Sequence, residues 1–282
     1  MRTVVLNNHS QYHSGCNAVI DVLHSDLLDN GYDVISSTDR DCDSELWDSA
    51  ELVIVNGEGT MHNNSRREPQ SLIELLCVAK ESGKKTALIN SVWQNMVISD
   101  RAIDVLKNSY ISVRETFSAE YMTETTGITP DIHLDLSYYA PLDVLINSQT
   151  LPQSGLLCGK SFPPQQDYRP PDCASVDIFS EGWDTIINKI RHSDWFFTGR
   201  HHELYASCIA GTPVSVMRGN TWKNEGLFAT AGVDIPVADR HISHSDIPEF
   251  IDKCRERPEE YDKLFTWMQN QSPWSSSLLE KL

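Results

Sequence analysis

Apolar residues fall along this chain in short unbroken runs, each followed by a stretch of helical spacing. Thr3–Leu6 reads as a buried strand, and Ala18–Leu28 carries Val19, Val22, Leu23 and Leu27 at helix spacing before Asn30-Gly31 closes it. Asp33–Ser36 and Glu51–Val55 are the next strands. Gln70–Glu81 is a helix ending at Gly83, Lys85–Asn90 a strand, Ser99–Lys107 a helix, and Tyr110–Val113 a strand. Ser118 stands where it caps or opens the following helix. Ile132–Leu136 completes this half. Runs without alternation predict strands covered on both faces, and strand and helix in turn predict parallel sheets.

Prolines at 152, 163, 164, 170 and 171 punctuate an irregular middle in which only Gly155–Cys158 reads as a strand. From Ala174 the alternation resumes, with a strand to Phe179, a helix over Trp183–Arg191 and the apolar run Trp195-Phe196-Phe197. Val214–Met217 and Val233–Val237 are strands, Glu225–Thr230 is a short helix, and Ile247–Lys253 and Pro258–Met268 are closing helices. The expected architecture is α/β: two compact Rossmann-like parallel-sheet domains facing a cleft. The domains are residues 1–140 and 173–282, with 141–172 as linker.

Composition narrows the partners. At 282 residues, with 40% hydrophobic and 22% charged, the chain has the content of a well-packed globular protein. A net charge of −17 argues against nucleic acid or an anionic membrane surface as partner. It leaves room for a small anion at a local basic island. Seven scattered cysteines with no CxxC pair point to reduced thiols, and the start MRTVVLNN lacks a secretory pattern. A cytoplasmic protein with no membrane span is expected; the oligomeric state is open.

Ligands of open parallel sheets bind beyond the carboxyl ends of the strands, and four unusual loops fall there. The most informative is Thr198-Gly199-Arg200-His201-His202, where a strand delivers a basic triplet to the first turn of a helix. Unpaired amides and the helix dipole favour an anion at such a place, and arginine and histidine add a clamp and a proton donor. Arg218 and Lys223 follow the next strand. Asn56-Gly57-Glu58-Gly59 is a tight turn holding one carboxylate, suited to a positioned base. Ser112-Val113-Arg114 puts an arginine at a third strand end. Near the start, His9 and His13 precede a helix without a third ligand, so no metal is expected. Cys16 beside His13 is the chain's Cys–His neighbour, but nothing in the sequence names the third group that orients a cysteine nucleophile.

The segments VNGEGTMH, SVRETFSAEYMTETTG with DIHLDLSY after it, and GRHHELYASCIAGTPV with Lys223 beyond resemble the polysaccharide pyruvyl transferase family. Short motifs carry the likeness across roughly Thr3 to Leu227. It departs at Gly57-Glu58-Gly59, where the family often has consecutive glycines, and at Ser14-Gly15-Cys16, where it usually has Asn-x-Gly-Asp. The resemblance implies a GT-B-like fold and transfer of the enolpyruvyl part of phosphoenolpyruvate to two sugar hydroxyls, giving a ketal. It puts Arg200 and His202 in the Arg-x-His motif, Arg114 in Ser-Val-Arg and Lys223 at the distal lysine. Phosphoenolpyruvate would be a donor substrate, with no cofactor. The implied partners are a small anionic donor and a saccharide acceptor.

The chemistry then assigns His202 as acid (exchangeable with His201), Glu58 as base, and Arg114, Arg200, Arg218 and Lys223 as anion clamp, beside Asn56, Gly57 and Gly59. A nucleotide-sugar glycosyltransferase on the same fold, and a non-catalytic sugar- or phosphate-binding module, remain open beside it.

Overall fold

The computed structural model describes residues 2–8, 12–37, 49–63, 67–142, 155–159, 173–272 and 274. Most of the expected linker, His9 and Cys42 lie outside them. The chain groups into two compact units. One is built on Ile20–Leu136 with the N-terminal strand, the other on Tyr12–Val19 and Ser137–Gln271.

The first unit carries β1 (Arg2–Asn7), β2 (Tyr32–Ser37), β3 (Leu52–Asn56), β4 (Lys85–Ser91), β5 (Tyr110–Val113) and β6 (Asp131–Ile132) in one sheet of order β2-β1-β3-β4-β5-β6. Every pairing is parallel. Its helices are α1 (Ser14–Asp29), whose first residues group with the second unit, α2 (Arg67–Glu81), α3 (Asp100–Lys107) and α4 (Thr116–Thr126). β3 and β5 are buried at every position, as the unbroken apolar runs require. Val53, Val55, Leu72, Leu76, Leu88 and Trp93 sit in the core of this unit.

The second unit repeats the plan with β7 (Leu156–Cys158), β8 (Ala174–Ser175), β9 (Trp195–Thr198), β10 (Val214–Met217) and β11 (Val237–Ala238). Their order is β11-β10-β9-β7-β8, again parallel. The helices are α5 (Trp183–Arg191), α6 (His201–Ala210), α7 (Lys223–Ala231), α8 (Ile247–Arg255) and α9 (Pro258–Gln269). In each unit the second strand lies on one side of the first and the third on the other. The connection therefore switches direction between β1 and β3, and between β7 and β9. Such switch points open a crevice at the carboxyl ends of the strands.

Several boundaries differ from the apolar pattern. α1 starts at Ser14, four residues early, because His13 caps it: Cys16 N–H donates to His13 Nδ1 (3.2 Å) and to its carbonyl (3.0 Å). Glu115, not Ser118, is the N-cap of α4. Its carboxylate accepts from Ser118 N–H (3.0 Å) and from the Ser118 hydroxyl. β6 stops at Ile132, and the chain forms a 3₁₀ turn over Leu136–Tyr139. β8 ends at Ser175, because the Asp177 carboxylate accepts from Phe179 N–H (3.0 Å) and turns the chain. β11 begins only after Pro236, which has no N–H to give a ladder. Among the described residues no helix is long and apolar enough to cross a membrane.

Candidate functional site

At the carboxyl edge of the first sheet, asparagines from three strand ends bond in series. Asn56 Nδ2 donates to Asn8 Oδ1 (3.3 Å), Asn90 Nδ2 donates to Asn56 Oδ1 (3.2 Å), and Asn90 Oδ1 accepts from Leu136 N–H (3.3 Å). All three asparagines are buried. The series fixes the turn that follows β3. There Gly57 passes so close to β4 that a Cβ on it would lie 2.0 Å from Ser91 Oγ. Glu58 has φ +44°, a left-handed conformation uncommon for a side chain of its length, and only 2% of it is exposed. Gly59 completes the turn, in which Thr60 N–H donates to the Gly57 carbonyl.

Arg114 holds this turn from beneath. It is 1% exposed. Its Nη1 meets Asp135 Oδ2 at 2.7 Å, its Nη2 lies 3.5 Å from Glu58 Oε2, and its Nε donates to the Asn90 carbonyl at 2.7 Å. A guanidinium with two buried carboxylates and a carbonyl is a rigid, charge-matched centre. Asp135 lies in the irregular stretch between the end of β6 at Ile132 and the 3₁₀ turn that begins at Leu136.

The second unit gathers the remaining expected residues around the start of α6, beside its own switch point. Arg200 is the helix N-cap, and its N–H donates to Thr198 Oγ1 (2.9 Å), which donates in turn to Glu203 Oε2 (2.5 Å). Glu203 is fully buried, and Gly159, after β7, gives it room: a Cβ there would lie 1.9 Å from Glu203 Oε2. The Arg200 guanidinium lies over the Phe179 ring at 4.6 Å. Its Nε and Nη2 are buried and make no hydrogen bond among the described residues. Burial lowers its pKa, while Glu203, Asp177 and Tyr12 oppose that shift. A desolvated cation with unmet donors at a helix N-terminus fits an oxyanion.

The neighbours divide in their suitability. Lys223 opens α7 and donates to Asn220 Oδ1 (3.2 Å). A Cβ built on Gly219 would touch both Lys223 Cε (3.8 Å) and the Gly199 carbonyl (3.9 Å), so Lys223 runs beside the β9–α6 turn. Arg218 instead is exposed and ion-paired with Glu225 (2.6 Å). His201 and His202 are both buried. His201 Nδ1 pairs with Asn224 Oδ1 at 3.1 Å, and Asn224 Nδ2 donates to the Met217 carbonyl (3.0 Å), so the amide orients the imidazole. His202 packs edge-on against His13, ring centroids 4.9 Å apart. Sequence reasoning passed over Asn224, Glu203 and Asp135. Asparagine beside the lysine was the one signal available. A surface groove of about 530 Å³ also exists, but it opens at the amino ends of β4 and β5, beside Lys85 and Tyr110, away from the first unit's switch point.

With its two parallel sheets the chain has the fold of the GT-B glycosyltransferases. Spinosyn forosaminyltransferase SpnP superposes with TM-score 0.60 at 9% identity, over 100% of this chain and 98% of that one. Arabidopsis thaliana UGT89C1 complexed with UDP-L-rhamnose gives 0.56 at 9%, over 99% and 97%. A functionally uncharacterised Klebsiella pneumoniae protein gives 0.58 at 14%, over 81% and 87%. At such identities the likeness establishes the fold. No family model and no curated protein matches the chain, so the pyruvyl transferase resemblance stands on its motifs.

Proposed function

We propose that this chain is a transferase acting on a carbohydrate, and that its donor is phosphoenolpyruvate. The observation that carries the reading is Arg200: a half-buried guanidinium at the N-cap of α6, its buried donors unmet among the described residues, beside Lys223. The donor's phosphate and carboxylate would take these two cations and the first-turn amides. His201, oriented by Asn224, protonates the donor's methylene carbon. A sugar hydroxyl then adds to the oxocarbenium-like carbon as its proton leaves to a base. A second hydroxyl displaces inorganic phosphate, which carries away that hydroxyl's proton, and closes the ketal.

A nucleotide-sugar donor is the second reading, supported by the fold it shares with a structure complexed with UDP-L-rhamnose. The diphosphate would use the same cations. Thermal-shift measurements with phosphoenolpyruvate and a panel of nucleotide sugars separate the two, because a ligand bound only by the native state raises Tm. The first reading expects stabilisation by phosphoenolpyruvate and phosphate release when a saccharide acceptor is added. Stabilisation by a nucleotide sugar alone selects the second.

A further inference from the structure

The first turn of α1 places three soft ligands together inside the second unit, and we propose that His13, Cys16 and His202 bind a zinc-class divalent cation. The sequence offered His13 without a third ligand and led to the expectation of no metal. The fold supplies the others. One ligand atom from each residue lies within 4.8 Å of the other two. Cys16 Sγ and His13 Nε2 are 3.4 Å apart, which matches the edge of about 3.5 Å between sulfur and nitrogen in a tetrahedral zinc site with bonds of about 2.3 and 2.0 Å. Cys16 is fully buried, and His13 and His202 are at least nine-tenths buried.

The backbone is shaped to bring His202 in. Gly15, between the two local ligands, faces it so closely that a Cβ would lie 2.6 Å from His202 Cβ. Ser14 anchors the same turn, its N–H and hydroxyl both donating to the Ile178 carbonyl at 3.0 and 3.1 Å. Thiolate and imidazole together select a borderline-soft ion over magnesium or calcium. Three protein ligands leave a fourth position for water or a substrate oxygen.

Loading is a proton exchange without redox change. The Cys16 thiol loses its proton to solvent and its sulfur bonds the ion, aided by its place in the first helical turn. When the ion binds His13 Nε2 the ring proton lies on Nδ1, and the Cys16 N–H gives up its bond to that nitrogen. The Cys16 N–H keeps its bond to the His13 carbonyl. One proton is released per ion.

The test is titration of the chelator-stripped 282-residue chain with Co²⁺, followed by thiolate-to-cobalt charge-transfer absorption and displacement by Zn²⁺. The absorption is expected to saturate at one equivalent and to vanish in Cys16→Ser with its far-ultraviolet dichroism unchanged. Absence of the band in the wild-type chain, or its survival in Cys16→Ser, overturns the site. Gly15→Ala covers the case in which Cys16→Ser does not fold. It keeps all three ligands but displaces His202, and should weaken Co²⁺ affinity about tenfold or more. Unchanged affinity in that variant also overturns the proposal. Phosphoenolpyruvate and nucleotide sugars are absent throughout, so failure here leaves the donor reading untouched.

Discussion

Arg114 and Asp135 meet at 2.7 Å with 1% and 0% of their side chains exposed, and Glu58 stands 3.5 Å away on the guanidinium's other nitrogen. Removing the cation strands two buried carboxylates in a medium that cannot solvate them. Arg114→Met is therefore expected to destabilise the first unit by about 3–5 kcal/mol. Arg114→Lys should recover little, since one ammonium cannot serve Asp135, Glu58 and the Asn90 carbonyl together. Denaturant unfolding followed by tryptophan fluorescence measures this. A loss below about 1 kcal/mol for Arg114→Met would show that the pair is dispensable.

Gly57 is held to glycine by its neighbour across the sheet edge. A methyl there would sit 2.0 Å from Ser91 Oγ and 3.1 Å from Leu88 Cδ1. Gly57→Ala is expected to cost about 1–3 kcal/mol by overpacking. Combining it with Ser91→Gly should return part of that loss, because the nearest clash disappears. A double-mutant cycle that is additive within about 0.5 kcal/mol would place the strain elsewhere.

The regular elements were legible because a strand covered on both faces must be apolar throughout: Val53–Val55 and Phe196–Phe197 have no exposed side to mark with polar residues. The switch points followed from strand order, which sequence does not contain. His13 is not among the usual capping residues, so the start of α1 went unseen, and with it the approach of Cys16 to His202. Arg200 was legible, since a strand end running into a helix leaves the residue between them at the N-cap. The partners of Arg114 were not. Asp135 lies between the end of β6 and the 3₁₀ turn at Leu136, a stretch that the apolar pattern instead read as strand.

Alkaline pH should unfold this protein early. Desolvation raises the pKa of Cys208, and of Cys254 and Tyr261 in the same unit, above the ordinary 9.0 and 10.0 of thiol and phenol. The native state thus favours their neutral forms. Their contribution is complete below the unfolded-state values and is lost as pH rises through and beyond them. Tm is expected to fall from about pH 9 upward, and Cys208→Ala to flatten that slope. An identical slope in the variant would mean that Cys208 does not titrate with unfolding.

Asn224 should act on turnover through His201 without touching the donor. Its Oδ1 pairs with His201 Nδ1 at 3.1 Å, while its Nδ2 is tied to the Met217 carbonyl, so the ring is held by a fixed amide. In the proposed reaction, Asn224→Ala lets the imidazole turn and lowers kcat about 10²-fold, the range lost with a positioned acid, with KM for the donor nearly unchanged. Arg200→Ala is the contrasting variant. Its guanidinium makes no side-chain hydrogen bond that the fold needs among the described residues, so Tm without ligand should hold. The donor-induced thermal shift should vanish, with a loss of at least about tenfold in affinity, as expected for a charge-assisted contact. If Asn224→Ala raised KM and left kcat alone, the amide would be part of the binding surface and His201 would not be the acid. If Arg200→Ala kept the full ligand-induced shift, the anion would be held somewhere other than the start of α6.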